Sequence, residues 1–225
     1  MTALKAKNLT LQRGQGQNSK SILSGEQCDF ELQQGEFVHL KGDSGVGKSS
    51  LLSALARLIP IQAGELYLYN QSAKEIEPSQ WRQSIAFLPQ KPIMFTGTVE
   101  DNLLYPFQHI KVQQKTLPTH EQLGEELSSL GLNSITLQQQ ANTLSGGQQA
   151  RLALARLLIT QPQIILADEP MANVDVDTAD LIYKRLQQFC AQDGTVLITR
   201  HGDLQADKYI YLQGNGQLVV EHECN

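Results

Sequence analysis

The chain has no apolar run near the roughly 18 residues that a membrane-crossing helix needs, and its start, Met1-Thr2-Ala3-Leu4-Lys5, has no apolar core of a signal peptide. It lacks an excess of positive charge: 18 Lys and Arg stand against 23 Asp and Glu, for a formal net charge of -5. A basic nucleic-acid module and electrostatic docking on anionic lipid are therefore not expected. Cysteine is scarce. The three, Cys28, Cys190 and Cys224, are far apart and match no metal-ligand spacing, as expected of buried or surface thiols in a reducing compartment. Low-complexity tracts and internal repeats are missing as well; the many glutamines are scattered through periodic segments. With 40% apolar and 18% charged residues in 225, the composition is that of a folded chain of one large domain or two small ones. A soluble, cytoplasmic chain is expected.

What is present is alternation. Ala6 to Gln12 and Cys28 to Gln33 read as half-buried strands, with Gly14 to Ser19 a loop between them. Phe37 to Leu40 is a short apolar strand running into glycine-rich sequence, and Ser50 to Leu58 has helical spacing. Gly64 to Asn70 and Ile85 to Leu88 read as strands. From Thr98 to Gln161 the pattern turns helical: Thr119 to Leu130 aligns Leu123, Leu127 and Leu130, and Ser145 to Ile159 is rich in Ala and Leu. Strands return at Ile164 to Ala167, Val196 to Thr199, Tyr209 to Leu212 and Gln217 to Val220, with a helix over Thr178 to Ala191. Such α/β alternation predicts a largely parallel sheet interrupted by a helical insert.

Gly42-Asp43-Ser44-Gly45-Val46-Gly47-Lys48-Ser49 fits the phosphate-loop pattern G-x-x-x-x-G-K-[ST], after a strand and before a helix. Its glycines let backbone N–H groups close on a phosphate, and the helix N-terminus favours the anion. Lys48 can reach β- and γ-phosphates, and Ser49 can offer a hydroxyl to Mg²⁺. Far downstream, the apolar strand Ile164 to Ala167 ends in Asp168 and Glu169. Asp168 suits Mg²⁺ through water, and Glu169 suits a general base or water-orienting group. Read alone, the two acids could equally cap a helix.

Leu144-Ser145-Gly146-Gly147-Gln148 then precedes the strongest helix, with Ser145 a good N-cap. With this pentapeptide the chain resembles the ATP-binding-cassette (ABC) ATPases over nearly its whole length, with the motifs in the family's order. The resemblance implies an α/β fold: a P-loop NTPase cassette with a RecA-like core, an N-terminal antiparallel β subdomain and an inserted α-helical subdomain. The implied division is a core of residues 1–90 and 162–225 and a helical subdomain of 91–161. It implies a Walker A loop at Gly42 to Ser49 with Ser50 following, a Q-loop glutamine at Gln90, the signature at Ser145, Gly146, Gly147 and Gln148, and Walker B with its catalytic glutamate at Asp168 and Glu169. A D-loop aspartate at Asp175 and a switch histidine at His201 complete the series. Mg²⁺ would be held by Ser49, Gln90 and Asp168.

The chain departs from the family in three places. The stretch where an adenine-stacking aromatic is usual reads Thr10-Leu11-Gln12-Arg13-Gly14; either Arg13 stacks on the base through its guanidinium plane or the base is loosely held. Ala172 stands where the D-loop usually has serine. Arg200 precedes His201 where small or hydroxyl residues are usual.

The resemblance further implies an ATP hydrolase that binds ATP and Mg²⁺ and sandwiches two ATP molecules in a homodimer. A separate integral membrane permease would hold it at the inner face of the cell membrane, with no nucleic acid involved. Ile93, Met94 and Phe95 would either receive a short permease helix or tuck under the helical insert. Asn102-Leu103-Leu104-Tyr105-Pro106-Phe107 is similar to FetA-type subunits associated with iron export. The competing reading is a soluble ABC ATPase of a non-transport assembly, such as iron–sulfur cluster biogenesis.

Overall fold

The strands sort into two sheets, and the sorting follows their burial patterns. A computed structural model describes residues 1–13, 20–25, 28–109 and 116–222. Its elements run β1 (Thr2–Arg13), β2 (Lys20–Ser24), β3 (Phe30–Gln33), β4 (Phe37–Lys41), α1 (Lys48–Leu55), β5 (Ala63–Leu68), β6 (Gln71–Ser72), α2 (Pro78–Ser84), β7 (Ile85–Leu88), α3 (Val99–His109), α4 (His120–Ser129), α5 (Gly146–Leu158), β8 (Ile164–Asp168), α6 (Val176–Ala191), β9 (Thr195–Thr199), β10 (Lys208–Leu212) and β11 (Leu218–His222). The first sheet is antiparallel and is built on β1, which pairs with β2, β3 and β5. The second has the order β11-β10-β4-β9-β8-β7 and is parallel except for the β10–β11 pair.

In the parallel sheet, β8 and β9 are buried at every residue. Layers on both faces demand this, and the run Ile164-Ile165-Leu166-Ala167 supplies it. Alternate residues serve two cores. Ile164, Leu166, Leu197, Val38 and Leu40 pack with α1 and the antiparallel sheet, while Ile165, Ala167, Val196, Ile198 and Phe37 pack with the helices α3 to α6. Lys208 of β10 reaches across to Glu36 at 2.6 Å and to the Glu31 carbonyl at 3.0 Å, tying the parallel sheet to the turn after β3.

Several elements differ from the sequence reading. β1 begins at Thr2, not Ala6, and Cys28 and Asp29 stay outside β3. The helix expected over Ser50 to Leu58 begins earlier, at Lys48, and ends at Leu55, because Arg57 turns into the left-handed region (φ 54°). The strand expected to run to Asn70 stops at Leu68. Tyr69 and Asn70 have φ of 47° and 64°, and the pair forms the two-residue connection of a hairpin to β6. Neither β2 nor α2 was expected. α2 spans 7 residues with Trp81 buried, too short to show a period. The loop expected over Gly14 to Ser19, and Cys224, lie outside the described residues.

Trp81, the only tryptophan of the chain, is 0% exposed. Its Nε1–H donates to the Leu55 carbonyl at 2.8 Å and so satisfies the C-terminal end of α1. Trp81→Ala is expected to destabilise the protein by about 3–5 kcal/mol. Trp81→Phe, which keeps most of the bulk but strands the carbonyl, should cost only about 1–3 kcal/mol. Urea titrations followed by circular dichroism check the order of the two.

Candidate functional site

All five parallel strands β4, β7, β8, β9 and β10 end at one edge of the sheet, and the functional side chains come from the loops leaving that edge. β4 delivers the chain into Gly42, whose φ is 147°; a Cβ there would sit 2.5 Å from the Leu212 carbonyl oxygen of β10. Gly47, the residue before α1, has φ 121°, and its Cβ would fall 2.5 Å from Ile22 Cγ2 of β2. These two glycines let the loop close against β10 and β2. Val46 is buried beneath it, and Asp43, Ser44 and Gly45 are exposed. No side chain caps α1, so its first N–H groups face the loop. Lys48 is 7% exposed and donates from Nζ to the carbonyls of Gly42 at 2.7 Å and Asp43 at 3.0 Å. A cation held by loop dipoles beside a helix N-terminus is electrostatically suited to receive an anion. Ser49 and Ser50 occupy the first turn of α1, with Ser49 exposed.

Next to the loop, β8 ends in Asp168, 8% exposed, paired in register with Thr199 of β9. The Thr199 hydroxyl donates to Asp168 Oδ1 at 2.8 Å and accepts from the Glu169 N–H at 2.9 Å. Glu169 has φ 44°, a strained value for a residue with a side chain. The pair therefore does not cap a helix: α6 begins at Val176, and Asp175 caps it. Both oxygens of the Glu169 carboxylate are engaged. Gln90, after β7, donates from Nε2 to Oε2 at 3.0 Å, and His201 Nε2, after β9, lies 3.2 Å from Oε1. Three residues chosen from sequence on separate loops thus meet in one contact. Sequence reasoning missed Thr199; a threonine ending a strand carries no mark that it will face an aspartate of the preceding strand, 31 residues earlier.

Ser145 caps α5 with a complete capping box: Gln148 N–H reaches Ser145 Oγ at 3.3 Å, and Gln148 Oε1 accepts from Ser145 N–H at 2.9 Å. Gly146 has open space where a Cβ would be. At Gly147 a Cβ would meet Thr178 Oγ1 at 3.1 Å and Asp175 Oδ2 at 3.5 Å. The signature end of α5 thus lies against the start of α6. Asp175 takes N–H and O–H bonds from Thr178, both at 2.8 Å, which hold its carboxyl below the usual range. Val176 beside it is 84% exposed. Arg13 ends β1 and is exposed.

Ser49, Gln90 and Asp168 offer only oxygen donors once the Gln90 amide is counted by its carbonyl, a hard set that fits Mg²⁺ rather than a softer ion. A second surface lies beside the site. Asn102, fully buried, binds both the N–H and C=O of Phe95 at 2.9 Å, and Arg156 donates to the Ile93 carbonyl at 2.7 Å. Phe95 stacks on Tyr105 with centroids 3.4 Å apart, and Met94 packs against the helical core. Ile93 stays 55% exposed. Ile93, Phe95, Tyr105 and Arg156 border a groove of about 520 Å³ between β7 and the helices α3 and α5. No helix among the described residues is long and apolar enough to cross a membrane.

The family model described as ABC transporter matches residues 26–172. The phosphonates import ATP-binding protein PhnC 2 of Nostoc sp. is 34% identical over 221 residues, which cover 93% of this chain and 89% of that protein. The maltose/maltodextrin import ATP-binding protein MalK of Vibrio vulnificus is 30% identical over 199 residues; they cover 86% of this chain but only about half, 52%, of MalK. The dimeric structure of MJ0796, a bacterial ABC transporter cassette, superposes with a TM-score of 0.81 at 28% identity and 99% coverage of both chains. Its post-hydrolysis dimer bound to ADP and Pi gives the same TM-score at 26% identity.

The pH dependence of stability has a marked contributor beside the site. His39 of β4 is fully buried, and burial, its largest influence, pushes the imidazole down from 6.5 to about 4. The facing groups divide: Lys41 and Arg200 lower it, while the Arg200 carbonyl and Asp203 raise it. Below about pH 6.5 the unfolded chain gains a proton that the folded chain refuses until about pH 4, so stability is lost as pH falls through that window. The loss from His39 between pH 7 and pH 4 should be about 3 kcal/mol. Unfolding free energies of the parent and His39→Leu from urea titrations, compared from pH 7 to pH 4, should diverge by that amount, with the variant the flatter curve.

Proposed function

Because the chain belongs to the ABC transporter family as an ATP-hydrolysing cassette, we propose that two copies close around two ATP molecules and that closure drives a separate membrane permease. The observation that carries this reading is the meeting of Gln90 and His201 on the two oxygens of Glu169, at the sheet edge that also bears the Lys48 loop. In this reading the Gly42 to Ser49 loop, with Ser50, cradles the phosphates, and Lys48 turns from the loop carbonyls to β- and γ-oxygens. Arg13 lies at the base. Glu169 accepts a proton from the attacking water as its oxygen bonds to the γ-phosphorus and the bond to the bridging oxygen of ADP breaks. Gln90 orients that water and His201 contacts the γ-phosphate. Mg²⁺, when bound by Ser49, Asp168 and Gln90, neutralises charge on the phosphate oxygens.

Ser145, Gly146, Gly147 and Gln148 of one copy complete the site of the other, with Asp175 at the same interface. A site split between copies fits the placement of α5, whose start lies against Asp175 and Thr178 of α6. Residues 1–90 and 162–225 would then act as the core and 91–161 as a helical subdomain that shifts on closure. The apolar groove at Ile93 and Phe95 is suited to a short amphipathic permease helix. That docking would hold the chain at the inner face of the cell membrane.

For cargo, the likeness of residues 102–107 to FetA-type subunits supports metal, specifically iron, export. The relatives carry other cargo in their names, phosphonates and maltose. A soluble iron–sulfur assembly role would leave the Ile93 groove without its membrane ligand.

Glu169→Gln is expected to lower ATP turnover by at least about 100-fold while an ATP-bound dimer accumulates in light scattering. Unchanged turnover would sink the role given to Glu169. Ile93→Glu should leave ATP hydrolysis by the isolated protein intact but abolish co-purification of an integral membrane protein. Retained membrane association would remove the groove from the permease interface.

A further inference from the structure

β4 carries two side chains that hydrolysis as described does not use. His39 is 0% exposed, in register with Ile198 of β9 and Tyr209 of β10. Its Nε2 lies 3.3 Å from the Arg200 carbonyl oxygen, and its Nδ1 is buried with no hydrogen-bond partner. A carbonyl only accepts, so Nε2 bears the proton and the Nδ1 lone pair is the orphan. An orphaned buried polar atom opposes folding, and an apolar residue of the same size would avoid it. The imidazole is therefore kept for something other than core stability.

Its one bond falls on the residue before His201. The same turn is gripped twice more. Lys41 Nζ lies 3.3 Å from Asp203 Oδ1 and 4.5 Å from the Tyr209 ring centre, and the Tyr209 hydroxyl donates to the Leu204 carbonyl at 3.2 Å. Side chains of the two adjacent strands β4 and β10 thus hold residues 200, 203 and 204, and His201 projects from between them to Glu169 at 3.2 Å. The strand that feeds the phosphate loop is in this way joined mechanically to the turn that bears the histidine.

We propose that His39 is a positioning residue for His201: its Nε2–H on the Arg200 carbonyl fixes the turn from which His201 reaches Glu169 and the nucleotide. The inference rests on the hydrolysis reading of Glu169 and His201, and its test separates the two.

In the nucleotide-free protein, nitrogen-resolved NMR should find the His39 ring protonated on Nε2 alone from about pH 5.5 to about pH 8. A ring protonated on Nδ1 or on both nitrogens overturns the proposal. His39→Leu fills the space without a donor. Its Gly202 amide order parameter should fall from about 0.85 toward about 0.6. Its kcat should drop about tenfold or more while KM for ATP stays within about twofold. His39→Gln, whose side-chain N–H can reach the same carbonyl, should restore both readouts. Unchanged order or unchanged kcat in His39→Leu overturns the proposal, as does a His39→Gln variant impaired as deeply as His39→Leu, which would make the effect one of packing. A parent chain with no ATP turnover sinks the hydrolysis reading instead, and the order parameters then decide the tether alone.

Discussion

The Thr199 hydroxyl is the joint on which the site depends. It donates to Asp168 and accepts from the Glu169 N–H, so one oxygen fixes both acids against the neighbouring strand. It can do so because β8 and β9 are parallel and in register, placing Asp168 opposite Thr199 at the end of both strands. The strained backbone of Glu169 follows from the same joint: with its N–H held back toward β9, the chain must turn at once, and its carboxylate swings out to Gln90 and His201. A parallel sheet buried on both faces is costly to assemble, since every strand needs a covering crossover. It returns a single edge where five strand ends meet, and here every loop leaving β4, β7, β8 and β9 carries a part of the constellation.

Much of this was legible because the chemistry demands residue types that local structure alone does not. Gly42 to Ser49 could be placed before any coordinates, since close approach of backbone to phosphate requires glycine at fixed spacing. The structure adds a second reason: Gly42 and Gly47 have no room for a Cβ against Leu212 and Ile22. Ser145 was likewise legible as an N-cap, and the structure adds Gln148 as the other half of a capping box. Strand and helix bounds were less secure, because tertiary contact decides them. α1 ends where Arg57 turns left-handed so that its guanidinium can reach the Ala73 and Ile76 carbonyls near α2. No periodicity within α1 encodes that.

The residues that escaped the sequence reading are those that act through others. Thr199, His39 and Lys41 match no motif, and each is defined by a partner distant in the chain: Asp168, Arg200 and Asp203. Asn102 entered the sequence reading only within the likeness to FetA-type subunits, and its structural part is local. Its amide satisfies both backbone groups of Phe95, and Arg156 satisfies the carbonyl of Ile93, so the loop after Gln90 is pinned at two residues although it lacks regular structure. The loop can then hold Ile93 in solvent without collapsing onto the core. Met94 packs against the helical core, Phe95 is half-buried against Tyr105, and Ile93 stays in solvent.

The ends of α5 and α1 are built oppositely, and the contrast bears on assembly. α1 has no capping side chain; its first N–H groups and the Lys48 ammonium converge on the loop, so this chain alone can seat a phosphate there. α5 is capped by its own serine, which satisfies part of the orphan donors, yet Gly146 stands over open space. Asp175 then sits beside Gly147 and repels an anion approaching from the α6 side. The face at Gly146 is the one left bare for an approaching anion. α1 thus offers an anion groups from its own chain alone, while α5 is capped yet leaves one face open, an arrangement compatible with the two-copy site proposed above.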